Sequence, residues 1–395
     1  MSGVRLGYLV SHPVQYQAPM LRALALCPEV DLKVYFLSGV STGQYFDRGF
    51  GRPIEWDVPL VEGYRHEFLS IRAEAREVSR FRYLPLIPSL VRDRIQVLWM
   101  HGWMYSTNLS ALLRGRSLGL RLLLRGESKL GNEPANPLKR SAKQAFLRWC
   151  LSRVDGCLCI GRLNREFYRR YGVPEDRLFD VPYAVDNEFF RARVATARGG
   201  REAFRRSLGL DPGRPIILFA GKLLPHKGPA LLLEAYRRLS PGRGVEPEPY
   251  LLFVGDGSER ASLEQQARET GWGGIRFVGF RNQTELPAFF DLCDVFVLPS
   301  TFEPWGLIVN EVMNAAKPVL VSDCAGCAAD LVENGLNGFV FPSGDVGVLS
   351  DQLRRVISDT ALREAMGLAS LARIDTWSFR EDLRGILTAV ERVMS

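Results

Sequence analysis

Short apolar runs alternate along the chain with longer segments whose apolar positions recur every three or four residues. This is the pattern of buried strands joined by amphipathic helices. In the first half VRLGYLV and VDLKVYFLS flank a helix near Ala18 to Leu26, and later runs end at RIQVLWMHG, LRLLLRGES and VDGCLCIG. The second half is more regular. Strands are expected at PIILFAGKL, YLLFVGDG, IRFVGF, DVFVLPS, PVLVSD and NGFVFPS, separated by helices at PALLLEAYRRL, SLEQQARET, TELPAFFDLC, GLIVNEVMNAA and VLSDQLRRVIS. Strand and helix in strict turn argue for parallel sheets covered by helices on both faces. A stretch from Asn187 to Arg214, rich in Arg, Ala and Gly and closing with DPGRP, carries no strand signal and is expected to be the connection. The expected organisation is a first domain over 1–190, a second over 191–375, and a helix over 376–395 packing back towards the first.

The 395 residues suit two or three domains at roughly 150 residues each. With 46% hydrophobic and 24% charged residues the composition is that of an ordinary globular protein and excludes a disordered or collagen-like chain. No uncharged apolar stretch reaches the length of about 18 residues that a membrane helix needs, and the N-terminus does not read as a signal segment. Seven cysteines are sparse and odd in number, so a reducing compartment, the cytoplasm, is expected. Cys157 with Cys159 and Cys324 with Cys327 are the closest pairs, and neither has the second pair a zinc site needs, so they read as packing residues.

A net charge of +7 points to an anionic partner: nucleic acid, an acidic membrane face or a phosphorylated substrate. The densest basic run, Lys139, Arg140, Lys143, Arg148 and Arg153, interleaves with Leu138, Ala142, Ala145, Phe146, Trp149 and Cys150 at helical spacing. It is expected to be a surface helix with a buried apolar stripe, whose basic face is either solvated or docked on anionic lipid.

The polar clusters that can carry chemistry each follow an apolar run. In FAGKLLPHKGPA, Gly221 and Gly228 free the backbone, Lys222 and Lys227 bring two cations, and Pro229 suits a first helical turn. Paired lysines beside a helix start make an anion site fitted to diphosphate, although both are equally consistent with solvated surface residues. GDGSE, with Gly255 and Gly257, is a weaker nucleotide-binding turn. In STFEPWGLIVNEVMNAA, Glu303 precedes a helix and Glu311 lies inside it, so the two carboxylates can serve different hydroxyls of one extended ligand. The plainer alternative makes Glu303 a helix-start charge and Glu311 a solvated helical residue.

Glu303 and Glu311 with seven residues between them, framed by LPS and PVLVSDCAG, resemble the E-x7-E signature of retaining glycosyltransferases of family 4. GKLLPHKG, FVGDG, RFVGF, VENGLNGFVFPSGD and PYAVDNEFF fall in the same family's order. The resemblance covers the second block and is thinner over residues 1 to 180. It implies an α/β architecture of the GT-B fold, two Rossmann-like doubly wound domains facing a central cleft. It further implies that Lys222 and Lys227 hold the donor diphosphate, Glu311 the ribose and Glu303 the transferred sugar. Backbone from Val278 through Phe280 to Arg281 would hold the base, Gly221 and Gly255 would line the donor, and Gly306 and Leu307 would offer amides. His101 would stand near the reacting sugar.

The sequence departs from that family in the loop after its first strand, SHPVQYQAP, where His12 and Gln15 replace a glycine-rich turn. These two, with Glu127 of RGES, are the candidate acceptor contacts, Glu127 having an ion pair with Arg125 as its plainer role. Trp305, Ala184, Ala316 and Lys317 also differ from the family's common residues. The chain contains no Asp-x-Asp, so a metal-independent reaction without cofactor is expected, with lysines in the place of Mg²⁺. The expected function is transfer of a sugar from a nucleotide diphosphate sugar, a UDP-sugar by preference, to an acceptor hydroxyl. The partners would be the sugar nucleotide and a lipid-linked glycan or small-molecule acceptor, with peripheral membrane contact and no nucleic acid. A hydrolysing epimerase on the same fold and a catalytically dead sugar-nucleotide sensor are the alternatives.

Overall fold

The computed structural model describes residues 3–70, 85–131, 135–239, 247–269, 271 and 273–395. Thr270, the last residue of the expected SLEQQARET helix, lies outside them. The chain divides into two compact units, the first comprising residues 1–45, 58–185 and 377–395, the second 46–57 and 186–376.

The strands in chain order are β1 (Val4–Val10), β2 (Val30–Phe36), β3 (Tyr45–Asp47), β4 (Arg52–Ile54), β5 (Arg65–Phe68), β6 (Val97–His101), β7 (Arg121–Arg125), β8 (Gly156–Cys159) and β9 (Leu178–Asp180). They continue as β10 (Ile216–Ala220), β11 (Tyr250–Val254), β12 (Ile275–Gly279), β13 (Val295–Leu298), β14 (Val319–Ser322) and β15 (Gly338–Phe341).

The first unit holds a seven-stranded sheet in the order β5-β2-β1-β6-β7-β8-β9, parallel throughout. Side chains of one strand serve opposite faces: Tyr8, Val97, Trp99 and Leu123 lie in one buried cluster, Leu9, Leu98, Met100 and Leu124 in the other. Burial on both faces is why these strands are apolar runs rather than alternating ones. The C-terminal helix Phe379–Met394 starts at a capping box of Ser378 and Glu381 and contributes Ile386, Ala389, Val390 and Val393 to the Tyr8 and Trp99 cluster.

The second unit holds a six-stranded parallel sheet in the order β12-β11-β10-β13-β14-β15. Its described core gathers Ile217, Phe219, Phe253, Val297 and Leu320 with Leu232, Leu349 and Met366 from the covering helices. The two sheets are doubly wound, as their alternating pattern predicts. The segment 187–214, expected to be an irregular connection, is instead two helices, Asn187–Arg198 and Arg201–Ser207. Asp186 caps the first by accepting from the amide of Phe189, and Phe190 and Val194 are buried, so the 190/191 boundary falls inside a helix. The Arg-rich composition hid a sparse apolar stripe. Helix Thr360–Asp375, capped by Asp359, also went unread.

The helix Pro137–Leu151 departs from expectation in a different way. Leu147, Cys150 and Leu151 are buried, but Leu138 is 81% exposed, Phe146 38%, and Ala142 and Ala145 are exposed as well. Only its last turn is anchored; the expected stripe is open to solvent along the rest. No helix among the described residues is long and apolar enough to cross a membrane.

Ala316, at the position where the resembling family often has glycine, has a φ of +55°. An L-residue in that region costs about 1–2 kcal/mol, part of which a glycine returns by loosening the unfolded chain. Ala316→Gly is therefore expected to stabilise by up to about 1 kcal/mol and raise Tm by a few degrees in calorimetry.

Candidate functional site

In a doubly wound sheet a ligand crevice opens beyond the carboxyl ends of the strands, where successive strands depart to opposite sides. In the second unit that point lies between β10 and β13, which are neighbours although two strands separate them in sequence. Lys222 and Lys227 follow β10, and Glu303 follows β13.

Two glycine contacts hold these loops together. Gly228 has φ +68° and a Cβ there would lie 2.2 Å from the carbonyl oxygen of Pro299. Gly255 has φ +140°, and its Cβ would lie 1.8 Å from the Gly221 carbonyl oxygen. Only glycine admits backbone to backbone at such range. The amide of Thr301 donates to the His226 carbonyl, and the amide of Gly326 to that of Glu303, tying the loop after β14 into the set.

Lys227 Nζ lies 2.5 Å from Glu303 Oε2, and Glu303 is 7% exposed. Lys222 Nζ is 2.9 Å from Asp47 Oδ1 and 3.0 Å from Oδ2. Asp47, which the sequence did not single out, belongs to the second unit through the segment 46–57. Burial pushes its carboxyl up, but the Lys222 ammonium and the amides of Phe50 and Gly49 more than reverse this and hold it below the usual range.

Glu311 is not the solvated residue of the plainer expectation. It is 4% exposed in the helix Leu307–Met313; Gln283 Nε2 donates to Oε1 at 3.3 Å, and Oε2 has no partner. Burial pushes its carboxyl up to about 8 against the relief of the Gln283 bond. Gln283 was missed because an amide before a helix carries no distinctive signal. Gly306, buried, opens that helix with Leu307; Phe280 and Arg281 follow β12, where Arg281 donates back to the Val278 carbonyl. Trp305 is buried and donates from Nε1 to Asn310.

In the first unit the corresponding reversal falls between β1 and β6. His12 and Gln15 follow β1, half-buried, with Ser11 Oγ 2.9 Å from His12 Nδ1. His101 ends β6. Tyr8 Oη lies 3.1 Å from its Nδ1, and its Nε2 is 3.6 Å from Glu127 Oε1. The Tyr183 hydroxyl donates to the same Glu127 oxygen at 2.5 Å. Arg125 does not pair with Glu127 as the plainer role supposed: it is buried 3.5 Å from Asp382, beneath Tyr183, and donates to the Val181 carbonyl. Burial raises the Glu127 carboxyl, but the imidazole and the phenol outweigh it, so Glu127 sits below the usual range and is ionised at neutral pH. Burial pushes Asp382 up to about 6 despite Arg125.

Two family models match the chain. Residues 200–371 match the model described as "Glycosyl transferases group 1", and residues 42–184 match "Glycosyl transferase 4-like domain". The chain belongs to the family 4 glycosyltransferases of the GT-B fold. Among curated members, an alpha-D-kanosaminyltransferase of Streptomyces kanamyceticus is 29% identical over 62% of this chain and 61% of its own length. A D-inositol 3-phosphate glycosyltransferase of Nocardia farcinica is 29% identical over 56% of this chain and 49% of its own. The chain thus spans about half to three-fifths of these relatives. Among solved structures, a sucrose-phosphate synthase from Thermosynechococcus elongatus superposes with TM-score 0.75 at 18% identity, covering 99% of both chains. HepE of Anabaena, solved in complex with UDP and with UDP-glucose, superposes its UDP complex with TM-score 0.72 at 16% identity, over 98% of this chain and 99% of its own. At those identities the likeness is one of GT-B fold.

In this chain, Glu311 binds a proton in the folded state that the unfolded chain has already lost between pH 4.5 and about 8. Its contribution to stability therefore falls as pH rises through that window, by several kcal/mol in total at about 1.4 kcal/mol per unit. Glu311→Gln should flatten the decline: thermal unfolding at pH 5.5 and pH 8.0, without nucleotide, should show a smaller difference for the variant than for wild type.

Proposed function

We propose that this protein is a cytoplasmic, metal-independent, retaining sugar transferase that takes its sugar from a UDP-sugar. The observation that carries the reading is that both lysines and both glutamates occupy the loops and helix beyond the carboxyl ends of β10 and β13, at the reversal point of the second sheet. A diphosphate there meets two ammonium groups. Glu311, dry and with one oxygen unpartnered, suits a pair of ribose hydroxyls, and Glu303 the hydroxyls of the transferred sugar. The HepE complexes supply an example of UDP and UDP-glucose on this fold.

The bond from the anomeric carbon to the diphosphate oxygen breaks as the acceptor oxygen forms its bond on the same face. The acceptor proton passes to the departing phosphate, so atoms and charge balance without a protein nucleophile. Lys222 and Lys227 stabilise the charge that grows on the leaving group, the office a metal fills elsewhere. In this reading His101 supplies the imidazole that would serve the reacting sugar. Glu127, ionised and fastened by Tyr183, orients an acceptor hydroxyl by accepting its hydrogen bond rather than serving as a strong base. His12 and Gln15 extend the acceptor side.

The test is UDP release across a panel of UDP-sugars with and without acceptor, in EDTA, with NMR of the product anomer. Release that requires acceptor, survives EDTA and retains the anomeric configuration is expected. Lys227→Ala should lose about 10²–10³ in kcat, the usual worth of one preorganised electrostatic contact. An unchanged rate in the folded variant removes the phosphate assignment.

A lipid-linked acceptor is favoured over a soluble one by the helix Pro137–Leu151, whose open apolar residues Leu138 and Phe146 accompany Lys139, Arg140, Lys143 and Arg148. Basic residues near an anionic surface contribute about 1 kcal/mol each and fade with salt. Wild type should co-sediment with phosphatidylglycerol vesicles at low salt and a four-site charge-reversed variant should not; equal, negligible binding by both removes the membrane.

A further inference from the structure

The two cations of the donor crevice are both already neutralised. Lys227 faces Glu303 and Lys222 faces Asp47, so the four groups together carry no net charge, and an incoming diphosphate would find no free cation among them. One carboxylate must give way. Glu303 is buried within the loop after β13, with Ser300 Oγ 3.5 Å from the oxygen that Lys227 holds, and its backbone carbonyl is bonded to Gly326. Asp47 sits in a separate segment, 46–57, which lies over the loops that follow β10, β11 and β12.

Around the buried side chain of Ile54, that segment is fastened by polar and aromatic contacts. Phe50 meets Phe280 edge to face at 4.8 Å, and its ring lies 4.9 Å from the Lys222 ammonium. Arg52 places its guanidinium 5.7 Å from the Phe280 ring and 3.9 Å from Asp256. Asn282 donates to the Glu55 carbonyl at 2.6 Å, and the amide of Thr284 to Asp57 at 3.1 Å. Asp47 itself accepts the amides of Gly49 and Phe50 with the same Oδ1 that approaches Lys222. A carboxylate gripped by two amides and one ammonium has the partners a phosphate oxygen takes.

We propose that Asp47 is an internal stand-in for a donor phosphate: its carboxylate holds Lys222 until the diphosphate of the sugar nucleotide displaces it. Asp47 thereby sets donor affinity and discriminates against weakly charged ligands, which cannot compete with a bidentate carboxylate. The inference rests on the donor-site reading above.

The sign of its effect is unusual, and that makes it testable. Titration calorimetry with UDP and with inorganic pyrophosphate compares wild type with Asp47→Asn. Removing the competitor should tighten both ligands about tenfold, the equivalent of one charged hydrogen bond. Without ligand the variant should melt lower than wild type, since Lys222 loses its partner, while the rise in Tm on adding saturating UDP should be larger. A merely structural role moves both quantities down together. Equal or weaker binding by a variant that remains folded overturns the inference but leaves the donor site standing. If neither protein binds UDP or UDP-glucose, the donor site and the inference fail together. Asp47→Glu, which keeps the charge, should return UDP affinity towards wild type; affinity as high as in the asparagine variant would overturn the inference.

Discussion

Parallel strand pairing imposes the geometry on which everything else rests. Each strand must be re-entered from the same end, so every strand-to-helix turn of a sheet emerges along one edge. Because both faces of each sheet are covered, polar side chains that do chemistry have almost nowhere to stand except those turns. Lys222, Lys227 and Glu303 in one unit, and His12, Gln15, His101 and Glu127 in the other, are gathered by this constraint from distant parts of the sequence.

Gathering is not positioning. The loops of the second unit are set by contacts in which no side chain intervenes, as where the Gly255 backbone rests on Gly221 and Gly228 on Pro299. Such contacts leave no rotamer to adjust, so the ammonium groups and carboxylates are carried on a rigid frame. Ionic partners then decide the charge that frame presents. Each lysine has a carboxylate, and Glu311 is kept dry enough to hold its proton near neutrality.

What could be read in the sequence followed from periodicity and local spacing. The alternation of runs and amphipathic segments yielded the six strands of the second sheet and five of the seven in the first, but not its edge strands β5 and β9, which are short and carry charged residues; the spacing of Glu303 and Glu311 within one loop and helix needed no tertiary information. Asp47 was illegible because it lies 175 positions from Lys222 and sits in an unremarkable DRGFG turn. Gln283 and Tyr183 likewise gain meaning only from what they touch. The helices over 187–207 were hidden by arginines, whose stems tolerate a helix while their charges mimic a linker. The open stripe of Pro137–Leu151 shows the converse error: a helical period of apolar residues fixes a face but not whether anything in the chain covers it.

The buried pair of Arg125 and Asp382 joins β7 to the helix Phe379–Met394, which also completes the cluster around Trp99. In sequence, residues 186–376 are thus an insertion within the first unit. A ribosome delivers that insertion entire before it delivers the helix that closes the unit begun at β1. The second unit can therefore assemble while the first still lacks part of its core, and Arg125 waits without its carboxylate until Asp382 has emerged. Order of synthesis and order of completion thus run opposite to one another for these two units.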